Sequence, residues 1–348
     1  MTETLPLFLN GKPEPTAAAE FLELFAPATG QPYARVPLCE AAEVDRAVQV
    51  AEAAFPRWRE TPVIERARVL FRYRQILEAE ADSVARLIVS DHGKVLSDAR
   101  GEVQRGIEVV EFACGMPTLM QGQTVEDVAR GIDCKTIRQP LGVCVGITPF
   151  NFPAMVPLWM YPLAVAAGNT FLLKPSERVP RTALRLAELF KEAGLPDGVF
   201  NIVHGDRRTV EALIAHPRIR AVSFVGSEPV ARAVYRQAGQ HGKRVQALSG
   251  AKNHLVVLAD CDLDKTVDGI MGGGYGSAGE RCMAVSVVVA VGPVAEPLVE
   301  RIRAAAAALK VGEGSQPGSE MGPLITAEHK RRVAGYIGQG EAQGARLV

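Results

Sequence analysis

Apolar residues recur at three- and four-residue spacing from Ala41 to Trp58 and again from Val63 to Val89, with charged residues between them, so each stretch predicts an amphipathic helix. In the second, Val63, Ala67, Leu70, Arg74 and Leu77 share one stripe. A third helix is predicted from about Ser97 to Ala113, stopping before Gly115-Met116-Pro117. The amino-terminal part therefore reads as largely helical. Between Gln121 and Gln139 the pattern turns polar and strand-like, which fits either an arm that pairs with another subunit or a solvated loop.

From Leu141 onward short apolar runs alternate with amphipathic stretches. Gly142 to Thr148, Thr170 to Leu173, Val199 to Val203 and Arg220 to Val225 predict strands. Helices are predicted between and after them, at Thr182 to Ala193, Thr209 to Ala215 and Pro229 to Gln240. Strand and helix in alternation give an α/β protein with a doubly wound parallel sheet, whose ligand lies at the carboxyl ends of the strands. A further strand, His254 to Leu258, precedes a glycine-rich loop, Gly272-Gly273-Gly274-Tyr275-Gly276, which leads towards Cys282. Leu141 to Leu173 carries no charged residue and hydropathy alone would flag a membrane span. Pro149, Pro153, Pro157 and Pro162 interrupt it, and the stretch reads instead as a buried strand, a loop and a core helix.

Composition narrows the function classes. At 348 residues the chain is long enough for two domains, and 39 basic against 39 acidic residues leave no basic excess for nucleic acid or an anionic membrane. Six scattered cysteines without a CxxC pair read as free thiols in a reducing compartment. Met1-Thr2-Glu3-Thr4 has neither the features of a signal peptide nor those of a transit peptide, so a cytoplasmic location is expected. The six histidines show no metal-ligand spacing, and no metal site is expected.

Two residues carry the candidate chemistry. Cys282 lies in Gly279-Glu280-Arg281-Cys282-Met283 and Asn151 in Pro149-Phe150-Asn151-Phe152-Pro153. A thiol with a pKa of about 8.5 needs a nearby positive charge, a base or a helix N-terminus to attack at neutral pH, and Arg281 is the adjacent candidate. An amide aimed at the attacked carbon would stabilise an oxyanion, worth roughly 3 kcal/mol for one donor. The pairing suits carbonyl chemistry.

These residues, with Leu9-Asn10-Gly11-Lys12, Leu173-Lys174-Pro175-Ser176-Glu177, Asn201-Ile202-Val203 and Phe224-Val225-Gly226-Ser227 in the same order, resemble the aldehyde dehydrogenase superfamily. Gly242 to Gln246, Gly250-Ala251-Lys252-Asn253-His254, Arg281-Cys282-Met283-Ala284 and Arg105 to Cys114 resemble, more narrowly, its methylmalonate-semialdehyde dehydrogenase branch, which forms acyl-CoA using NAD. The resemblance implies an NAD-binding domain at residues 1–120 and 140–250, an oligomerisation arm at 121–139 and a partial catalytic domain at 251–348. It also implies a homo-oligomer acting on a small-molecule aldehyde.

Carried over residue by residue, the resemblance makes Cys282 the nucleophile that forms a thiohemiacetal, and Asn151 the oxyanion donor, joined by the backbone N–H of Cys282. Ile147, Thr148 and Phe150 would line the cofactor groove. Lys174, Ser176 and Glu177 would flank the adenosine ribose, where a carboxylate at Glu177 repels a 2′-phosphate and favours NAD over NADP. Gly205, Gly226 and Ser227 would approach the dinucleotide, the last two opening a helix whose free N–H groups can meet a pyrophosphate. Arg105 and Arg281 would hold a substrate carboxylate by bidentate guanidinium bonds. For Arg105 the competing reading is a surface pair with Glu102 or Glu108.

The glutamate base of hydrolytic relatives falls at Leu248, which cannot accept a proton, so the CoA thiol becomes the expected acyl acceptor. Hydrolysis activated from another residue is the enzymatic alternative, and an inactive nucleotide-binding or interaction module is the non-enzymatic one. Relatives of this resemblance continue beyond Val348, so an incomplete catalytic domain with uncovered apolar faces and edge strands is expected.

Overall fold

A computed structural model describes residues 3–348. Its centre is a seven-stranded sheet. Five parallel strands run across it in the order Arg244–Ser249, Ile219–Gly226, Val143–Ile147, Thr170–Lys174 and Phe200–Ile202, and two antiparallel strands, Leu7–Leu9 and Lys12–Glu14, extend the edge beside Phe200–Ile202. Numbered along the chain the parallel strands read 5-4-1-2-3, so the winding reverses between Val143–Ile147 and Ile219–Gly226. That is where a doubly wound sheet opens a ligand crevice.

Side chains alternate across a strand, and the two faces of this sheet are covered accordingly. Phe171 and Leu173 pack into one buried cluster with Leu158, Tyr161 and Ala183. Leu172, between them, joins Val143, Val145 and Ile147 on the other face, against Val44, Ala47, Val48 and Leu213. Strands buried on both faces read as unbroken apolar runs, as Val143–Ile147 does. The proline-interrupted stretch after it forms the expected loop and core helix, Met155–Ala166. Among the described residues no helix is long and apolar enough to cross a membrane.

The structure corrects several sequence expectations. The stretch Val63 to Val89 forms two helices, Val63–Ala79 and Ala81–His92, because Glu80 leaves the helical region (φ −94°, ψ 3°). Both halves still bury their apolar stripes in the same core. The amino-terminal part is not largely helical before Ala41. Phe21–Phe25 and Pro32–Pro37 pair antiparallel, and Glu3–Thr4 joins them in a three-stranded sheet. Glycines 272–274 do not form a loop, since they complete the helix Leu263–Tyr275. The polar stretch after Gln121 is an exposed antiparallel hairpin, Thr124–Ala129 with Ile132–Lys135.

Beyond Ser249 the architecture thins. Asn253–Val257 and Val285–Ala290 make a two-stranded parallel sheet. Helices Leu263–Tyr275, Ala295–Ala308 and Ala327–Ala342 accompany it. Its buried cluster is Val257, Val267, Ile270, Val294 and Leu298. Val256, Leu258, Val289, Tyr336 and Ile337 are exposed.

Candidate active site

The site lies on the seam between the large sheet and the thinner region. Residues 277–279 enter it in a left-handed run, with φ of 52° at Ser277, 53° at Ala278 and 73° at Gly279. Such backbone is costly for residues other than glycine and persists where its surroundings over-determine it. The run ends at Glu280-Arg281-Cys282. Cys282 is partly exposed and touches the apolar cluster of Phe152, Met155 and Val156, which Val225 also joins. Asn253 fixes the far side of the turn, its amide donating to the carbonyls of Cys282 and Ala284, each at 3.0 Å.

Asn151 reaches the same turn. Its Nδ2 donates to the Glu280 carbonyl at 2.6 Å. An amide nitrogen carries two hydrogens, so one of them anchors the turn and the other remains free for a substrate oxygen. The loop bearing Asn151 is itself held by a buried ion pair. Lys94 Nζ donates to Glu102 Oε2 at 2.7 Å and to the Asn151 carbonyl at 2.6 Å, while Glu102 Oε1 accepts from the Ala154 and Met155 N–H groups at 2.8 and 3.2 Å. Lys94 also sits over the Phe152 ring at 4.6 Å. Both charges are fully buried. Removing either would strand its partner, a loss of about 3–5 kcal/mol.

The two arginines occupy different settings. Arg281 Nη2 is paired with Asp98 at 2.6 Å and its Nη1 donates to the Gly272 carbonyl at 3.2 Å. Arg105 neighbours the other side of the loop, 5.6 Å from the Phe152 ring centroid, and donates to the Gly101 carbonyl. The surface pair with Glu102 does not form, because Glu102 points inward to Lys94.

A buried carboxyl lies two residues before the thiol along the chain. The Glu280 side chain is 3% exposed, with Oε2 3.6 Å from His92 Nε2 and Oε1 3.5 Å from His329 Nε2. Burial pushes its carboxyl up to about 7, against a hydrogen bond from the Ile325 N–H and the charge of Lys94. Burial, then Lys94, holds His92 well below its ordinary value. His329 is lowered by burial and Arg332, against Glu328. With both rings neutral near pH 7, these contacts are not ion pairs. Phe150 lies beside both rings, its centroid 6.0 Å from each.

The remaining candidates gather at the carboxyl ends of the sheet. Ile147 and Thr148 end the central strand and are buried, and the Thr148 N–H donates to the Lys174 carbonyl at 3.2 Å. Lys174 closes the next strand and donates to Glu177 at 3.0 Å. Burial alone would raise the Glu177 carboxyl, but the charge of Lys174, with the Glu177 backbone N–H and Arg178, holds it below its usual range. Ser176 Oγ accepts from the Arg178 N–H at 3.2 Å. Gly205 follows the Phe200–Ile202 strand with φ of 151°, and a Cβ there would strike Thr209. At Gly226 a Cβ would strike the Phe224 ring.

Ser227 begins the helix Glu228–Gln240, and its side chain makes no capping bond. A hydroxyl and the first N–H groups of a 13-residue helix are thus presented at the winding reversal. These residues fit a dinucleotide, with an anion site at the helix start and a carboxylate near the neighbouring strand end. Leu248 is half exposed beside Val225 in the last strand pair.

Sequence reasoning missed Lys94, met Glu102 only as a competing surface partner of Arg105, and met Asn253 and Glu280 only as parts of motifs. Lys94 and Glu102 lie eight positions apart across a helix start, a spacing that announces no pairing. Glu280 had a readable signal in standing two residues before the cysteine, but its burial had none.

Comparison with known proteins places these features in context. Residues 15–348 match the aldehyde dehydrogenase family. The chain is 55% identical over 347 residues to malonate-semialdehyde dehydrogenase 3 of Geobacillus kaustophilus, covering 100% of this chain and 72% of that protein. The crystal structure of a methylmalonate-semialdehyde dehydrogenase from Oceanimonas doudoroffii superposes with a TM-score of 0.97 at 50% identity, over 100% of this chain and 71% of that one. An aldehyde dehydrogenase from Bacillus cereus in complex with NAD superposes with a TM-score of 0.94 at 32% identity, over 99% of this chain and 71% of that one.

Proposed function

Since the chain belongs to the aldehyde dehydrogenase family, an aldehyde oxidoreductase, we propose that it oxidises malonate or methylmalonate semialdehyde with NAD and passes the acyl group to CoA. The observation that carries this reading is the bond from the Asn151 amide to the Glu280 carbonyl at 2.6 Å. It ties the amide read here as oxyanion donor to the turn that carries Cys282.

In this reading residues 140–250, with 1–120, bind the dinucleotide. Residues 121–139 pair copies of the chain, and residues 251–348 carry the nucleophile. Ser227 and the helix behind it meet the pyrophosphate, with Gly205 and Gly226 allowing close approach. Lys174, Ser176 and Glu177 flank the adenosine ribose, and Ile147, Thr148 and Phe150 line the groove. Bound NAD supplies the acceptor for the hydride. Cys282 adds to the aldehyde carbon, and the free hydrogen of the Asn151 amide stabilises the resulting oxyanion.

Arg105 and Arg281 orient the substrate carboxylate, Arg281 by exchanging its bond to Asp98 for a bidentate one. Leu248 offers no base to activate water, so the thioester awaits a thiol. For the malonyl-type substrate the carboxylate leaves as carbon dioxide, and the carbon it leaves takes a proton from water.

The test is NADH formation with either semialdehyde, with and without CoA, and mass detection of products. Acyl-CoA formed only by a chain that retains Cys282 supports the reading. Free acid formed at the same rate without CoA overturns the acyl transfer and favours hydrolysis. Calorimetric NAD binding with no turnover reduces the chain to a nucleotide-binding module.

A further inference from the structure

A second concave site lies at the opposite end of the large sheet. It is a cavity of about 1050 Å³ walled by the helices Ala41–Glu60 and Val63–Ala79 and by residues 191–199, which lead from the helix Pro180–Glu192 into the strand Phe200–Ile202. Parallel strands begin at this end, whereas Thr148, Lys174 and Ser227 stand where strands finish. The strand Thr170–Lys174 alone holds the two ends about 13 Å apart, at ~3.3 Å per residue. The volume is far more than a simple ion needs and suits an organic ligand.

Floor and rim differ in character. Trp58, Val69 and Leu195 are buried and, with Ala54, make an apolar floor. The rim carries Arg57 from one helix, Arg68 and Arg72 from the next, and Lys191. Lys191 is paired with Asp197. Arg72 Nε donates to the Ala193 carbonyl at 2.7 Å, which leaves its two terminal nitrogens for another partner. Arg57 and Arg68 are exposed, and among the described residues neither guanidinium has a carboxylate partner or a hydrogen bond.

Setting the Lys191 and Asp197 pair aside, three guanidinium groups face one cavity against the single carboxylate of Glu65, which pairs with none of them. Arg57 suits the last turn of its helix, where a cation complements the dipole. That does not account for Arg68, which lies inside the next helix four residues from Arg72, a spacing at which like charges oppose folding. A local choice that opposes the fold without a compensating contact tends to mark a functional site. Positive charge gathered in a concavity focuses its field on an anion, and the planar guanidinium fork matches phosphate oxygens. One carboxylate ligand would occupy one such fork. Three forks beside an apolar floor fit several phosphates carried on an organic body.

We propose that this cavity binds a nucleoside polyphosphate, its phosphates on Arg57, Arg68 and Arg72 and its nucleoside over the floor, leaving the carboxyl ends of the strands free for a dinucleotide. The site involves neither Cys282 nor Asn151 and does not depend on the chemistry proposed for them.

The test is calorimetric titration of ADP into the full chain in excess NAD. ADP should bind at one site, and Arg57→Gln and Arg68→Gln should each weaken it about tenfold or more. Arg207→Gln, at an exposed arginine of the helix Arg207–Ala215, should leave it unchanged. The proposal is overturned if wild type does not bind, if the first two variants bind as wild type does, or if all three weaken alike. Inorganic tripolyphosphate binding as tightly as ADP also overturns it, because the floor would then take no part.

Arg57 and Arg68 are exposed, so both variants should melt with the wild type. Should either not fold, photolabelling of the wild type with 8-azido-ADP in excess NAD decides. Label on peptides from residues 50–72 or 191–199 supports the proposal, and label confined to other peptides, or none, overturns it.

Discussion

The large sheet and the region after Ser249 are built on different principles. In the sheet, parallel strands are covered on both faces by two extensive apolar clusters. After Ser249, two strands share a cluster of five buried residues and leave Val256, Val289 and Ile337 in solvent. The first region is stabilised by its own burial, whereas the second owes much of its placement to polar links across the seam. These are Asn151 to Glu280, Asp98 to Arg281, Glu280 to the Ile325 N–H, and the Leu96 N–H to the Gly314 carbonyl at 3.1 Å. The lesson is that the groups proposed to react sit where rigidity is borrowed.

Four substitutions test this contrast. Cys282→Ala should lower aldehyde oxidation at least ~10³-fold while leaving calorimetric NAD binding intact. Loss of both together would break the division into a binding frame and a reacting region. Lys94→Met leaves the buried Glu102 carboxylate without its counter-charge and should cost about 3–5 kcal/mol in denaturant unfolding, with the Asn151 loop loosened. A loss below about 1 kcal/mol would show that the seam does not depend on this pair.

Leu173→Ala, in the sheet core, should cost about 3 kcal/mol, and Val267→Ala, in the small cluster, about 1 kcal/mol. Equal losses would remove the contrast. A further effect is set by pH. Burial holds His204 down to about 4, below an unfolded value of about 6.5, so the folded state prefers the neutral ring. That stability is fully present above about pH 6.5 and is lost as the pH falls towards 4. Melting temperatures of wild type should drop over that window by more than those of His204→Gln.

Much of the first region was legible because its signals are long. The helix from Ala41 repeats its period over 20 residues, and the four parallel strands beginning near residues 142, 170, 199 and 220 stand out as apolar runs that alternate with helices. Short elements did not. Leu7–Leu9 and Lys12–Glu14 have three residues each, too few for a period, although Asn10-Gly11 between them carried a hairpin signal. Both residues have positive φ, at 52° and 75°, as a two-residue turn of this kind requires. Glu80 breaks a helix without glycine or proline, so nothing local announced it.

The glycines at 272–274 misled in the opposite sense, because helix packing overrode their low propensity. In the site, the motif residues were legible as a set, while the Lys94 and Glu102 pair depends on two elements meeting in space. Glu102 entered only in the competing reading of Arg105, as a surface partner, because spacing cannot report burial.

One contact along the seam bears on which sequences this architecture can accept. The backbones of Gly314 and Gly322 press against Gly93 and Lys94 so closely that a Cβ on either would strike main-chain atoms. In a randomised library sorted only for folding, those two columns would stay glycine, while Gly318 between them, with open space but a φ of 90°, would admit asparagine ahead of other side chains, at a cost in backbone strain. The join between the regions could then be mapped from surviving genotypes alone, before any substrate is added.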